Sequence, residues 1–546
     1  MRITKVQLAA AAACTMVVLA GCGGRPDTTP TTVSNTEFLN LPAMTNAATG
    51  PTDSATWALY RDPTSVDPAT AIDYPENTVI ATMCESLLRQ QPDGTITPGL
   101  AGEYHYTSPT TLVLTLRSDV RFWDGQPLTA ADVAFSLQRT KDPETGGLYG
   151  ETLNRISSIS TDRPDTVTLN LSSPDYWLPG ELAAMPGVVI QEKYARDRGR
   201  DYGTPSGGAM CTGPYKLAEW TAGDRLKVTA NPDYWDASLK PMTNEIDFRG
   251  VSDAATLTTG LSTGEISGTW INDTSTLAQL QRTSNVTVHL GPSFETEFFI
   301  PANLTGVLGD PRVRQALSLA FDRTSFDSAV YQGNAVAPRM ASNPGTWGYA
   351  EDTFAAAWNA APEPTQDLEK ARQLVAEAGA AGKPLVIGTS TGIKTVNTAA
   401  NAWMEAANAI GLEASLRNVS PQNYINFFTD PDARAGVDAF STTTYGDYAD
   451  PAALIALYTE PGGSQNFSGY RNPELSALLN RARTEPDPVR RAELTVEADK
   501  LVMRELPWIP MSHPASFLVL DKKLAGAPTS FAYMQAPWLA KLGQGN

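Results

Sequence analysis

"LVLTLRSDVRFWDGQPLTAADVAFSLQR", residues 112–139, changes its hydrophobic period part-way along. Leu112, Leu114 and Leu116 recur at every second position, the repeat of a strand with one buried face. Thr129 then opens a helix. Asp132 gives that helix an acidic first turn, and Val133, Phe135 and Leu137 follow. Strand and helix therefore stand side by side in one short segment.

The same alternation spreads outward. "DPRVRQALSLAFDR" starts with Asp310 as N-cap and Pro311 at the first helical position; Val313, Ala316, Leu317, Ala320 and Phe321 fall on one face. "DLEKARQLVAEAG" repeats the pattern with Leu368, Ala371, Leu374, Val375 and Ala378, and Gly379 is a suitable stop. "NPELSALLNRA" has Asn472 as cap and Pro473 first, and "KPLVIGT" reads as a strand. Interleaved helices and strands make the class mixed α/β.

At the start, Arg2 and Lys5 precede an apolar run from Leu8 to Ala20, broken only by Thr15. The run is short for a membrane-spanning helix, which needs about 20 residues. It ends in Leu19-Ala20-Gly21-Cys22. Residues 1–21 read as a secretory signal closing on a lipobox, with Cys22 as the lipidated mature terminus. Stable anchoring takes more than one acyl chain. Residues 22–50 are poor in large apolar side chains and rich in Thr, Pro, Gly and Asn, and read as a flexible tether.

The chain carries 59 acidic against 41 basic residues, a net charge of −18, and loses Arg2 and Lys5 with the signal. That argues against nucleic acid or an anionic membrane face as partner. Its 546 residues allow more than one core. Of four cysteines, Cys14 leaves with the signal and Cys22 takes lipid. Cys84 and Cys211 remain, open to a disulfide in an oxidising compartment or to two buried thiols.

Several segments, in order over nearly the whole mature chain, resemble the extracytoplasmic solute-binding proteins of family 5, the peptide/nickel class that serves ABC importers. They are "ESLLRQQPDGTITPGLAGEY" (85–104), the opening stretch at 112–139, "CTGPYKLAEWTAGDRLKVTANPDYWD" (211–236), the helices at 310 and 367, "NFSGYRNPELSALLNRAR" and "ELPWIPM". Cys211 stands where the family motif usually has Gly, and Cys84 lies beside an otherwise standard segment; this favours the disulfide. Ser476 stands where the family usually has Asp.

The resemblance implies a two-lobed periplasmic-binding-protein fold of the large three-domain type (cluster C), with the ligand cleft between lobes. It places the first lobe at residues 51–84, 85–202 (its second domain), 203–290 and the C-terminal return 509–546, and the second lobe at 291–508. It also implies hinge closure on a buried solute, an ABC permease as partner, attachment to the cell membrane by the lipid anchor, a monomer, and no cofactor.

In the family's peptide-binding members an Asp late in the second lobe receives the peptide's α-ammonium. The matching stretch is "TTTYGDYADP", residues 442–451, and the matching residue is Asp447. A buried ammonium has three donors and needs a fixed negative partner. Asp450, before Pro451, reads instead as a helix N-cap. Thr443, Thr444, Tyr445 and Gly446 offer extended backbone for a peptide and, in Tyr445, an amphipathic wall. Asn466 and Phe467 are a second candidate wall, and Tyr60 and Glu85 are the candidates from the first lobe. Trp270 and Trp403 read as core or pocket. Arg339, Lys394 and Arg417 are undistinguished candidates for a ligand carboxylate.

Rival readings remain open. His105, His289 and His513 are far apart, and no HExxH, CxxC, GxSxG or phosphate loop occurs, so neither an enzyme nor a metal site is expected. The same fold also accommodates a nickel chelate, an oligosaccharide or haem, or a regulatory envelope lipoprotein that has given up transport.

Overall fold

The computed structural model describes residues 33–71, 73–147 and 149–546. In the opening segment, strand Thr111–Leu116 buries its alternate leucines. Helix Ala130–Lys141 starts on a capping box, in which the Asp132 N–H donates to Thr129 Oγ1 at 3.4 Å and the Thr129 N–H donates back to Asp132 Oδ2 at 3.0 Å. Helices Pro311–Ala320, Leu368–Glu377 and Pro473–Thr484 begin on Asp310, Asp367 and Asn472. Gly379 has φ +60°, the left-handed conformation that ends a helix cheaply only with glycine.

Three sheets carry the architecture. A seven-stranded mixed sheet runs in the order Val286–Gly291, Ser516–Asp521, Gly268–Trp270, Thr52–Leu59, Thr243–Gly250, Arg225–Ala230, Tyr215–Thr221. A four-stranded antiparallel sheet orders Ala101–Ser108, Thr111–Leu116, Thr166–Leu171 and Ile156–Arg163. A six-stranded sheet orders Ala335–Val336, Ile509–Pro514, Thr296–Pro301, Ala439–Thr444, Pro384–Thr389 and Glu413–Asn418. The first two sheets belong to one lobe and the third to the other.

The chain passes between lobes twice at neighbouring points. One passage joins Val286–Gly291 to Thr296–Pro301, and the other joins Ile509–Pro514 to Ser516–Asp521. The fully buried Asn343 ties them together, its amide donating to the carbonyls of Glu295 (2.8 Å) and Pro514 (3.0 Å). The expected return to the first lobe at residue 509 needs correction. Ile509–Pro514 pairs with Thr296–Pro301 inside the six-stranded sheet, so the crossing follows Pro514.

The expected tether at 22–50 is also corrected where the structure describes it. Residues 33–50 are packed on the body. Ser34 caps the short helix Asn35–Leu39, whose Phe38 is buried among Met340, Trp347 and Trp358 of the second lobe. The Thr529 N–H then donates to Ala43 O at 3.0 Å, and bridges join Met44 to Pro528 and Gly50 to Gln544 in the first lobe's tail. Few apolar residues suffice when the surface that receives them is already apolar. The signal, Cys22 and residues up to 32 lie outside the described residues.

A disulfide joins Cys84, at the C-cap of helix Tyr74–Met83, to the buried Cys211, 127 residues on. The chain-entropy model values closure of so long a loop at about 5 kcal/mol as an upper figure.

Candidate functional site

The stretch around Asp447 connects strand Ala439–Thr444 to helix Pro451–Thr459. Its two acids have different surroundings. Asp450 is the helix N-cap, accepting the Ala452 N–H at 2.9 Å. Asp447 is half-buried and has no hydrogen bond or ion pair among the described residues. Burial alone pushes its carboxyl up to about 6.

This stretch is where the second lobe meets the first. The Tyr445 ring lies 5.1 Å from Tyr74 and 4.9 Å from Phe531, both of the first lobe. The Tyr448 ring abuts Gly180, where a Cβ would come within 2.2 Å of it, so only glycine permits that approach. The Ala449 N–H donates to Gln90 Oε1 at 3.2 Å. Nearby, Arg483 of the second lobe grips Asp175 of the first through two bonds of 2.9 and 2.6 Å, with Asp175 almost fully buried. Charge-assisted bidentate pairing of this kind fixes orientation as well as adding energy. The lobes are closed on one another.

The place where the lobes meet is rich in carboxyl groups that form no ion pair among the described residues. The Glu181 carboxyl is pushed up to about 8, by burial and then by the Asp447 charge. Glu295, at the hinge, is pushed up to about 7 by burial, and the Tyr74 hydroxyl donates to it. Arg61, on the first-lobe side, is already held by Asp73 and Glu76 at 2.7 Å each. Such a region suits a cationic guest, because a cation brings these carboxyls into their charged form while an anion finds no free positive partner in them.

Comparison with known proteins agrees with this architecture. The profile of the bacterial extracellular solute-binding proteins, family 5 (middle), matches residues 95–466. The chain belongs to that family. Among curated relatives, the periplasmic murein peptide-binding protein MppA of Escherichia coli K12 is 26% identical over 515 residues, covering 88% of this chain and 92% of that one. The oligopeptide-binding protein OppA of Bacillus subtilis is 24% identical, covering 85% and 88%. Among solved structures, DppA of Helicobacter pylori in complex with peptide STSA superposes with TM-score 0.78 at 20% identity, covering 91% of this chain and 99% of that one. The fold is accordingly that of the two-lobed periplasmic binding proteins.

In this family 5 protein the candidates from sequence separate into two groups. Asp447, Tyr445, Gly446 and Tyr60 lie where the lobes meet or at the rim on the first-lobe side. Tyr60 is 42% exposed, and its hydroxyl donates to Asp73. Thr443 and Thr444 border the region with their hydroxyls committed, Thr443 to Glu297 Oε2 at 2.5 Å and Thr444 to Gln465 Oε1 at 2.8 Å. One edge of their strand is already paired with Thr296–Pro301.

Three candidates are corrected. Glu85 is buried and saturated: Tyr234, Thr212, Trp235 and Arg89 all donate to it, at 2.7, 2.9, 3.0 and 3.2 Å. It organises the first lobe and has no capacity left for a ligand. Asn466 closes its own loop, bonding the backbone of Glu460 and Tyr470. Phe467 stacks on Trp508 with centroids 5.8 Å apart and packs on Phe440 inside the second lobe's core.

Trp403 is core, stacked on Phe299 and Phe321, whereas Trp270 stacks on Tyr533 at 3.9 Å and lines a small recess with Tyr60 and Tyr74. Arg339 is paired with Glu363, and Lys394 and Arg417 are exposed. His513 is buried between Thr296 and Met340 and held neutral, down to about 3, by burial. Sequence reasoning missed Tyr74, Phe531, Gln90 and Glu181. None carries a local signal, since each gains its place from a segment distant in the chain.

Proposed function

We propose that this solute-binding protein captures peptides outside the cytoplasm, anchored through lipid on Cys22, and delivers them to an ABC importer. Asp447 receives the peptide's α-ammonium, and Tyr445 with Tyr74 walls the first residue. The protein acts by opening and closing, and does no chemistry on its cargo. The observation that carries this reading is the half-buried Asp447 carboxylate, which has no partner among the described residues and lies where the two lobes meet. Relatives whose names state peptide binding support it.

The physics is adequate to the task. A hydrogen bond to a charged group contributes about 1.5–3 kcal/mol net, and a micromolar Kd needs only about −8 kcal/mol in all. The test is calorimetry with one mixed-sequence pentapeptide, free and N-acetylated. Binding of the free form alone is the expected result. Equal binding of both forms removes the ammonium from the reading. Failure of both turns it toward a non-peptide solute or an envelope-regulating role.

A further inference from the structure

Glu181 ends the short helix Leu178–Glu181 and is 7% exposed. Its carboxyl makes no well-formed hydrogen bond among the described residues. The Tyr448 hydroxyl, itself buried and without a well-formed partner, sits at that carboxyl. Five titratable groups face Glu181: Asp447, Asp175, Arg483, Tyr448 and Tyr149. The one cation among them, Arg483, is gripped by Asp175 through both carboxylate oxygens. Two acids, Asp447 and Glu181, therefore lie together where the lobes meet, and neither forms an ion pair among the described residues.

A second observation points to a guest. Asn77 is fully buried, and neither end of its amide makes a well-formed hydrogen bond among the described residues. The Tyr149 hydroxyl, which donates to Ala71 O at 2.7 Å and feels the charges of both Asp447 and Glu181, is set against one end of that amide and leaves the Asn77 oxygen without a donor. The Gln90 Nε2 donor, next to the same stretch, is idle as well. Buried polar groups are ordinarily satisfied, so this concentration of idle donors and acceptors beside two acids marks a place that something polar and positive completes.

We infer that Glu181 is the specificity residue for a basic side chain on the ligand's first residue. The inference rests on the peptide reading above. The α-ammonium occupies Asp447, and a lysine- or arginine-type group occupies Glu181, so preferred ligands carry two positive charges at their amino-terminal end. The protonation state supports this. Burial and the Asp447 charge hold a proton on Glu181 at neutral pH, and a cation placed against the carboxyl expels it. Binding of a lysine-first peptide at pH 7 then releases more protons than binding of a peptide without the second charge.

The experiment compares Lys-Ala-Ala-Ala with norleucine-Ala-Ala-Ala, which keeps the carbon stem and lacks the side-chain ammonium. Calorimetry in two buffers of different ionisation enthalpy reads affinity and proton release together. The lysine peptide should bind at least tenfold tighter, with the larger proton release. In Glu181→Gln the two affinities should converge to within twofold, while norleucine-peptide binding stays near the wild-type value. Equal binding of both peptides by the wild type, or a preference that survives in Glu181→Gln, overturns the assignment of Glu181 and leaves the peptide reading standing. Failure of both peptides to bind overturns both. Should Glu181→Gln fail to fold, the wild-type affinity ratio and proton count decide alone.

Discussion

Glu85 and Asp447 are both carboxylates set among aromatic rings, and their sequence contexts make both reasonable ligand contacts. Their surroundings in the fold are opposite. Glu85 accepts from four donors on Arg89, Thr212, Tyr234 and Trp235, which come from three stretches of the first lobe. Asp447 accepts from none among the described residues. Burial is common to both and does not discriminate. Satisfaction does: a buried charge with all its partners holds a lobe together, and one without partners is waiting for them.

The largest effect that tests this contrast is on stability. Glu85→Ala removes the shared acceptor of three buried neutral donors and leaves Arg89 paired with Asp236 alone, and should cost about 2–4 kcal/mol in urea unfolding. Peptide affinity in the surviving folded protein should stay unchanged; a large loss of affinity at intact stability would return Glu85 to the site. Asp447→Asn should do the reverse. It should weaken peptide binding at least tenfold, within the about 2–5 kcal/mol range for truncating a buried charged pair, without lowering Tm. Unchanged affinity removes Asp447 from the site.

A smaller effect concerns closure itself. In Gly180→Ala the new methyl meets the Tyr448 ring, and overpacking of this kind costs about 1–3 kcal/mol. Because the contact exists only between closed lobes, the cost should appear in peptide affinity and leave the unfolding midpoint nearly unmoved. A lowered midpoint with intact affinity would mean that the glycine serves the first lobe alone.

The mildest test is pH. With the folded Asp447 carboxyl near 6 and an ordinary Asp near 3.8, the native state binds more protons than the unfolded state between those values. This group's contribution to stability therefore falls as pH rises from about 4 to 6, opposite to the usual salt-bridged Asp. Binding runs the other way, since the cation needs the ionised form. For a peptide with no basic side chain, Kd should be tightest near pH 7, weaken above about pH 8 as the peptide's own α-ammonium deprotonates, and weaken below about pH 6 by up to tenfold per unit. The acid slope should vanish in Asp447→Asn, and a slope that persists there assigns the titration to another carboxyl of the region, Glu181 or Glu295.

The sequence by itself determined what depends on neighbours a few residues away. Thr129, Asp310, Asp367, Asn472 and Asp450 all cap the helices that follow them, and the alternating leucines at 112–116 form a strand. A cap bonds an N–H two or three residues on, and an amphipathic face is written in one segment's own period. The order of such segments was enough to indicate the two-lobed family. What only the tertiary structure decided is which polar groups are satisfied. Glu85 became structural through Thr212, Tyr234 and Trp235, more than a hundred residues away. Phe467 went into a core built by Trp508 and Phe440, and Phe38 turned an expected tether into a packed strap. Glu181 acquired its neighbours Asp447 and Tyr448 only when the lobes closed. A side chain's burial and its partners are properties of the space around it, and residues far along the chain fill that space.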